Sequence, residues 1–257
     1  RLLWTLDTLL HFPHLCFKII QVYFELRCGA ILFLNLAPFI NAFLVVLFLK
    51  IFLGTRLIFY LGDIPKNNTF GQMAAWWADK LSKRFIVNSS AVKKGLITIG
   101  IREDKIKVVY NGVDIFKFRE AKIKDLRGQY SCPPKAVLIG YIGQINLKKG
   151  ITDFIEAAGH ILQKDPNCRF FIFGKVPLGG NGLPKDVADL INARHLENYV
   201  IFSGWEEEIE TIYKALDIVV VPSRHEDPAP NVDIEAMASG VPVVATQVGG
   251  SPEPIED

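Results

Sequence analysis

The chain alternates short, continuously apolar runs with longer segments in which apolar residues recur every three or four positions. Ala30–Leu34, Arg56–Leu61, Arg84–Asn88 and Lys107–Tyr110 are runs of strand length, and Phe39–Leu53, Phe70–Lys83 and Ala91–Ile99 between them have the helical period. Beyond residue 135 the alternation returns: Ala136–Ile142, Arg169–Phe173, Tyr199–Phe202, Ile218–Pro222 and Val241–Thr246 predict strands, and Ile151–Leu162, Lys185–Ala193, Glu207–Ala215 and Val232–Ser239 predict helices. Runs that are apolar at every position suit a strand whose sheet is covered on both faces. Strands alternating with helices predict parallel sheets with crossover connections, so the fold class is α/β, with two open sheets in series. The pattern breaks at Asn111-Gly112, and the charged residues 115–134 end in Pro133-Pro134. The expected division is a first domain over 1–120, a linker over 121–134 and a second domain over 135–257.

The stretch Ile31–Leu49 is apolar enough to raise a membrane span, which needs about 20 apolar residues. Asn35, Pro38 and Asn41 interrupt it, so the alternative is a strand, a turn and a helix ended by Gly54. Residues 1–27, rich in Leu, Phe, Trp and Tyr, read as a helix packed on a sheet or as an interfacial anchor. The chain opens at Arg1 without a signal-peptide pattern and stops at Asp257, where a further helix should begin. The expectation is a piece of a longer protein, with the first domain incomplete and the second lacking its last elements.

Half the residues are apolar and 22% are charged, which excludes global disorder. The net charge of +2 gives no global pull toward nucleic acid, and no such partner is expected. Charge is nevertheless uneven, with thirteen basic against six acidic residues over 76–130, and two against twelve over 201–257. Cys16, Cys28, Cys132 and Cys168 have no metal-ligand spacing and read as reduced thiols, in keeping with a cytoplasmic setting.

Ligands of open α/β sheets bind beyond the carboxyl ends of the strands. There the second half delivers Gly143, Gln144, Lys149 and Gly150 after one strand, and Gly174 after the next. Ser223 to Asn231, with Glu226, Asp227 and then Glu235, follow a third strand, and Gly249-Gly250-Ser251-Pro252-Glu253 a fourth. Glycine amides and a helix start suit phosphate oxygens, a lysine balances their charge, and carboxylates accept from sugar hydroxyls. Each piece alone has a plain reading as a tight turn or a hydrated charge.

Taken in order, these pieces resemble the retaining glycosyltransferases of family 4, with the GT-B fold of two Rossmann-like domains. The stretches that carry the resemblance are Val108–Asp114, Gly143 to Gly150, Val220-Val221-Pro222-Ser223, Glu226-Asp227 with Glu235–Ala245, and Gly249–Glu253. In the first half Leu57–Pro65 and Arg84–Ser89 fall where the family's acceptor domain has its segments. The resemblance implies sugar transfer from a nucleotide diphosphate sugar, a UDP- or GDP-sugar, to an acceptor hydroxyl with retained configuration, in polysaccharide or glycolipid assembly. It implies catalytic roles for Lys149, Glu226, Asp227 and Glu235, and donor contacts from Gly143, Gln144, Lys149, Gly174, Glu235, Gly249, Gly250 and Glu253. It also implies no permanently bound cofactor and no metal. The partners expected are the donor, a glycan or lipid-linked acceptor, and peripheral membrane contact through residues 1–54 at the inner face of the cytoplasmic membrane.

Three departures stand out. Gln144 replaces an arginine frequent in the family, Pro228, Ala229 and Pro230 replace a glycine-containing turn, and Gly62 precedes Asp63 where many relatives have histidine. Two other readings stay open, a nucleotide-sugar epimerase or hydrolase on the same fold, and a non-catalytic membrane-associated remnant.

Overall fold

The computed structural model describes residues 30–33, 36, 43–176, 182–225 and 227–255. It separates into two compact units, one ending at Tyr110 and the other starting at Asn111. Residues 1–29, with the expected interfacial segment, and Glu226 lie outside the described residues.

The first unit is a parallel sheet in the order β1 (Ala30–Phe33), β2 (Arg56–Leu61), β3 (Arg84–Val87), β4 (Ile106–Val108). Helices α1 (Phe43–Leu53), α2 (Thr69–Leu81) and α3 (Ser90–Thr98) are the crossovers. In β2 the buried residues alternate, Leu57, Phe59 and Leu61 pointing into one core. Strand register places Phe33 beside Phe59 and Phe59 beside Phe85, and the rings stack with centroids 5.4 and 5.2 Å apart. Such a ladder adds roughly 0.5–1.5 kcal/mol per pair beyond the area it buries. Helix starts are fixed locally: Asn68 Oδ1 accepts from the Gly71 amide at 2.7 Å and Ser89 Oγ from the Val92 amide at 3.2 Å.

Within the Ile31–Leu49 stretch the described residues include most of strand β1 and the first part of the 11-residue helix α1. At 1.5 Å per residue such a helix is about 16 Å long, half of a hydrocarbon core. Among the described residues no helix is long and apolar enough to cross a membrane.

The second unit carries the parallel sheet β7-β6-β5-β8-β9, built from β5 (Val137–Ile142), β6 (Cys168–Phe173), β7 (Val200–Gly204), β8 (Ile218–Val221) and β9 (Val243–Ala245). Both faces are buried, as the continuous apolar runs predict. In β6, Phe171 and Phe173 enter one core while Cys168, Phe170 and Ile172 enter the other. Helix α6 (Ile151–Leu162) covers the second core with Ile151, Phe154, Ile155 and Ala158, one stripe at helical spacing. Helices α7 (Lys185–Ala193), α8 (Ile209–Tyr213) and α9 (Asn231–Ala238) complete the layers. Cys132 and Cys168 are free, buried thiols.

The division falls earlier than the charged segment suggests. Residues 115–134 contain two short helices, α4 (Ile115–Arg119) and α5 (Leu126–Gln129), started by side-chain caps from Asp114 and Asp125. Phe118, Leu126 and Cys132 are buried in the second unit's core, so the expected linker over 121–134 is part of that unit. Apolar residues this sparse among charges do not show a helical period, which is why the segment reads as a linker.

Candidate functional site

Chain order along the second sheet runs from β5 outward to β6 and β7, then returns to place β8 on the other side of β5. The reversal between β5 and β8 is a topological switch point, where the loops that leave neighbouring strands part and open a crevice. A cavity of about 210 Å³ lies there, lined by residues 141–144, Lys149, residues 220–223, Asp227 and residues 230–232.

The loop after β5 reaches the cavity through close packing. Gly143 and Gly174 adopt φ of +154° and +153°, and a Cβ on Gly174 would land on the Gly143 carbonyl oxygen. Tyr141 donates its hydroxyl to the Gln144 carbonyl at 2.6 Å, and burial pushes that phenol well above its usual range. Asn146 then caps a single 3-10 turn, Leu147–Lys149, by accepting from the Lys149 amide at 2.9 Å. At Gly150 φ is +73°, and a side chain would collide with the Pro222 carbonyl, so only glycine lets the loop lie against the end of β8. From the other side the Arg224 amide donates to the Lys148 carbonyl at 2.9 Å, and its guanidinium to Asp153 at 2.7 Å. That guanidinium holds the Asp153 carboxyl below its usual range. These ties deliver the Lys149 ammonium to Asp227, with which it forms an ion pair.

Helix α9 begins at the cavity. Its N-cap position is Pro230, which offers no capping side chain, and Asn231 and Val232 line the wall. Orphan amides at a helix start carry partial positive charge, which together with Lys149 makes this wall suited to an anion. Asn231 is held by the Asn111 side-chain amide at 2.9 Å. Four residues along, Glu235 accepts the Tyr213 hydroxyl at 2.8 Å. Tyr213 is fully buried, and burial, then the Glu235 charge, push its phenol far up.

The turn after β9 closes the site. Gly249 has φ +59°, a Cβ there would meet the Asp227 backbone, and the Gly250 amide donates to the Asp227 carbonyl at 2.8 Å. Glu253 follows, its amide bonded to the Gly250 carbonyl at 3.1 Å.

The structure thus brings Gly143, Gln144, Lys149 and Asp227 onto one cavity, with Gly174 beneath Gly143 and Gly249-Gly250 against Asp227. Glu235, four residues past Asn231 on α9, is not among the residues that line the cavity, and Glu226 lies outside the described residues. One expectation needs correction. The amides of Gly143, Gly174 and Gly250 are already committed to the carbonyls of Phe173, Gly204 and Asp227. These three glycines allow loops to approach closely, and the α9 start and Lys149 are anion donors on the cavity wall.

Sequence reasoning missed Tyr141, Tyr213, Asp233 and Ser251. Asp233, on the first turn of α9, is fully buried and accepts the Ser251 hydroxyl at 2.8 Å. Burial raises its carboxyl to about 6 against the Ser251 hydrogen bond, with the Asp227 charge adding to the rise and Lys149 opposing it. An acid at position 233 inside an apolar-looking helix was the one available signal. Among the described residues no group of three or more His, Cys, Asp or Glu side chains could hold a metal ion.

Comparison with known proteins agrees with this geometry. A family model described as glycosyl transferases group 1 matches residues 136–257, and one described as glycosyltransferase family 4 matches residues 9–116. Glycosyltransferase MJ1607 of Methanocaldococcus jannaschii is 32% identical over 184 residues, 68% of this chain and 45% of that protein. A D-inositol 3-phosphate glycosyltransferase of Saccharomonospora viridis is 29% identical over 181 residues, 68% of this chain and 42% of that protein. The chain therefore spans less than half the length of these relatives. Among solved structures, Anabaena Alr3699/HepE in complex with UDP superposes with a TM-score of 0.81 at 26% identity, over 94% of this chain and 65% of that one. Two family models covering both units, these relatives and the shared two-sheet architecture lead to one assignment: the chain belongs to the family 4, group 1 glycosyltransferases of the GT-B fold.

Proposed function

We propose that the parent protein is a retaining glycosyltransferase that binds a UDP- or GDP-sugar in the β5/β8 cavity and transfers the sugar to an acceptor hydroxyl. The observation that carries this reading is the convergence of Lys149 and the uncapped start of α9 on one cavity at the switch point. Alr3699/HepE is solved with UDP and with UDP-glucose, which supports a nucleotide-sugar donor here. As the bond between sugar C1 and the diphosphate oxygen breaks, negative charge grows on the diphosphate and the sugar becomes oxocarbenium-like. Preorganised positive groups aimed at the leaving oxygens are the main contribution a protein makes to such a step. Lys149 and the α9 amides take that role. In the free chain Lys149 is paired with Asp227, so the diphosphate competes with Asp227 for the ammonium. Once released, Asp227, alone or with Glu226, is available to the donor sugar hydroxyls. Glu235, fixed by Tyr213, accepts from the ribose, while Gln144, Gly143, Gly174, Gly249, Gly250 and Glu253 shape the walls.

The reading extends to metal-independent catalysis, to polysaccharide or glycolipid acceptors, and to a cytoplasmic position with peripheral membrane contact. The exposed Leu44, Phe48, Ile51 and Phe52 of α1 support the last of these. The test is incubation of the full-length protein with UDP-glucose or GDP-glucose, with and without a lipid-linked glycan acceptor and with a chelator present throughout. Acceptor-dependent nucleotide release, with a product whose anomeric proton coupling matches that of the donor, is expected. An inverted product, or nucleotide release that ignores the acceptor, contradicts the proposal.

A further inference from the structure

Asp233 is a buried carboxyl group with no role in the scheme above. It sits in the first turn of α9, two residues past Asn231, which lines the donor cavity. Its Oδ2 accepts from Ser251 Oγ at 2.8 Å, both residues being 0% exposed, and its Oδ1 finds no hydrogen-bond donor among the described residues. Ser251 belongs to the turn that begins with Gly249-Gly250. That turn touches the β8–α9 loop at two further points, the Gly250 amide on the Asp227 carbonyl and the close approach of Gly249 to the Asp227 backbone.

We infer that Asp233 is a positioning residue of the donor site: through Ser251 it latches the Gly249–Gly250 turn against the β8–α9 loop, and thereby sets the affinity for the donor diphosphate. The inference rests on the donor reading of the cavity. The latch also has a preferred protonation state. The charges that reach Asp233 are Lys149 after β5 and Asp227 in the β8–α9 loop, and the neutral Tyr213 phenol on α8 lies within reach of its field. Lys149 is the one cation among them, and it is already paired with Asp227. Against the cost of burial an ionised Asp233 has only the α9 amides and the field of a Lys149 already shared with Asp227, and a bound diphosphate, drawing on the same groups, adds repulsion. The neutral acid keeps the bond from Ser251 without that penalty. Donor binding accordingly favours the protonated form, and affinity falls as pH rises through the range in which Asp233 ionises.

The experiment has two arms on the same proteins: wild type, Asp233→Asn, Asp233→Leu and Ser251→Ala. Without ligand, hydrogen exchange at the Gly250 and Glu253 amides reads the latch directly. Faster exchange is expected in Asp233→Leu and Ser251→Ala but not in Asp233→Asn, which keeps an acceptor for Ser251. Unchanged exchange in both of the first two overturns the latch. With UDP-glucose, whose charge is constant between pH 5.5 and 7.5, calorimetry gives Kd at both ends. Wild type should bind more weakly at pH 7.5, by on the order of tenfold if the bound diphosphate raises the carboxyl by a further unit or more, the sign being fixed by proton linkage. Asp233→Asn should be flat with pH and as tight as wild type at pH 5.5, and Asp233→Leu should be flat and weak. A wild-type pH step that survives in Asp233→Asn, or full affinity in Asp233→Leu, overturns the role in affinity. Loosened turns with no binding of either UDP-glucose or GDP-glucose by wild type would instead overturn the donor reading, and the role in affinity with it.

Discussion

Replacing Asp233 by asparagine should change how stability responds to pH, with a sign fixed by the direction of the carboxyl's shift. The side chain is fully buried, and burial raises its carboxyl from an ordinary 3.8 to about 6 in the folded chain. Between those values the folded state holds a proton that the unfolded chain has released. The folded state binds more protons in this window, so stability falls as pH rises from about 4 to about 6 and stays lower above it. A shift of about two units corresponds to about 3 kcal/mol in full, of which roughly 1.4 kcal/mol falls between pH 5 and 7.5. Asparagine has the same shape and never ionises, so the difference between variant and wild type isolates the effect from every other titrating group. Urea denaturation at half-unit steps from pH 5 to 7.5, following the transition of the second unit, should show Asp233→Asn gaining on wild type with rising pH. In melting temperature the relative gain is about 3–6 °C. A flat difference curve, or one that slopes the other way, would refute the assignment of Asp233 as a buried carboxyl without a charge partner.

Three other substitutions test separate parts of the architecture. Gly150→Ala should destabilise the second unit by at least about 2 kcal/mol, because φ is +73° and the new methyl meets the Pro222 carbonyl; chemical denaturation reads it, and a neutral effect contradicts the close approach. Tyr213→Phe removes the hydroxyl that holds Glu235, costing about 1 kcal/mol of stability and weakening nucleotide binding, with equilibrium unfolding and calorimetry as readouts. In the first unit Phe59→Ala opens the middle of the Phe33–Phe59–Phe85 ladder and should cost about 4 kcal/mol, seen as an early melting transition confined to that unit.

Much of this architecture is legible in the sequence because each strand is a local signal. Arg169–Phe173 is apolar at every position after the first, which is what a strand covered on both faces requires, and it forms most of β6, which starts one residue earlier. Lys149, Asp227 and the start of α9 were also placed by reading which residues follow each strand, since strand ends in a parallel sheet share one rim. What the sequence hid depends on register or on contacts between distant segments. Nothing local says that Phe33, Phe59 and Phe85 fall side by side, because that is decided by how three strands align. The pairing of Tyr213 with Glu235 and of Asp233 with Ser251 spans 22 and 18 residues and crosses between elements. Glycine was the most ambiguous letter. At 143, 174 and 250 it suggested open amides, whereas those amides close the loops on one another. The charged run 115–134 misled for the opposite reason: a few buried residues, Phe118, Leu126 and Cys132, anchor it to a core that the sequence places far away.

The central claim, a diphosphate site made by Lys149 and the start of α9, is tested most directly by thermal-shift titration with UDP, GDP and ADP on wild type and Lys149→Ala. A ligand that binds only the folded state adds about 2.7 kcal/mol at a hundredfold excess over Kd, enough to move the melting of the second unit by several degrees. The account predicts a shift with one of the nucleotides that Lys149→Ala abolishes while the variant still melts cooperatively without ligand. An equal shift in both proteins, or none in a cooperatively melting wild type, would contradict it.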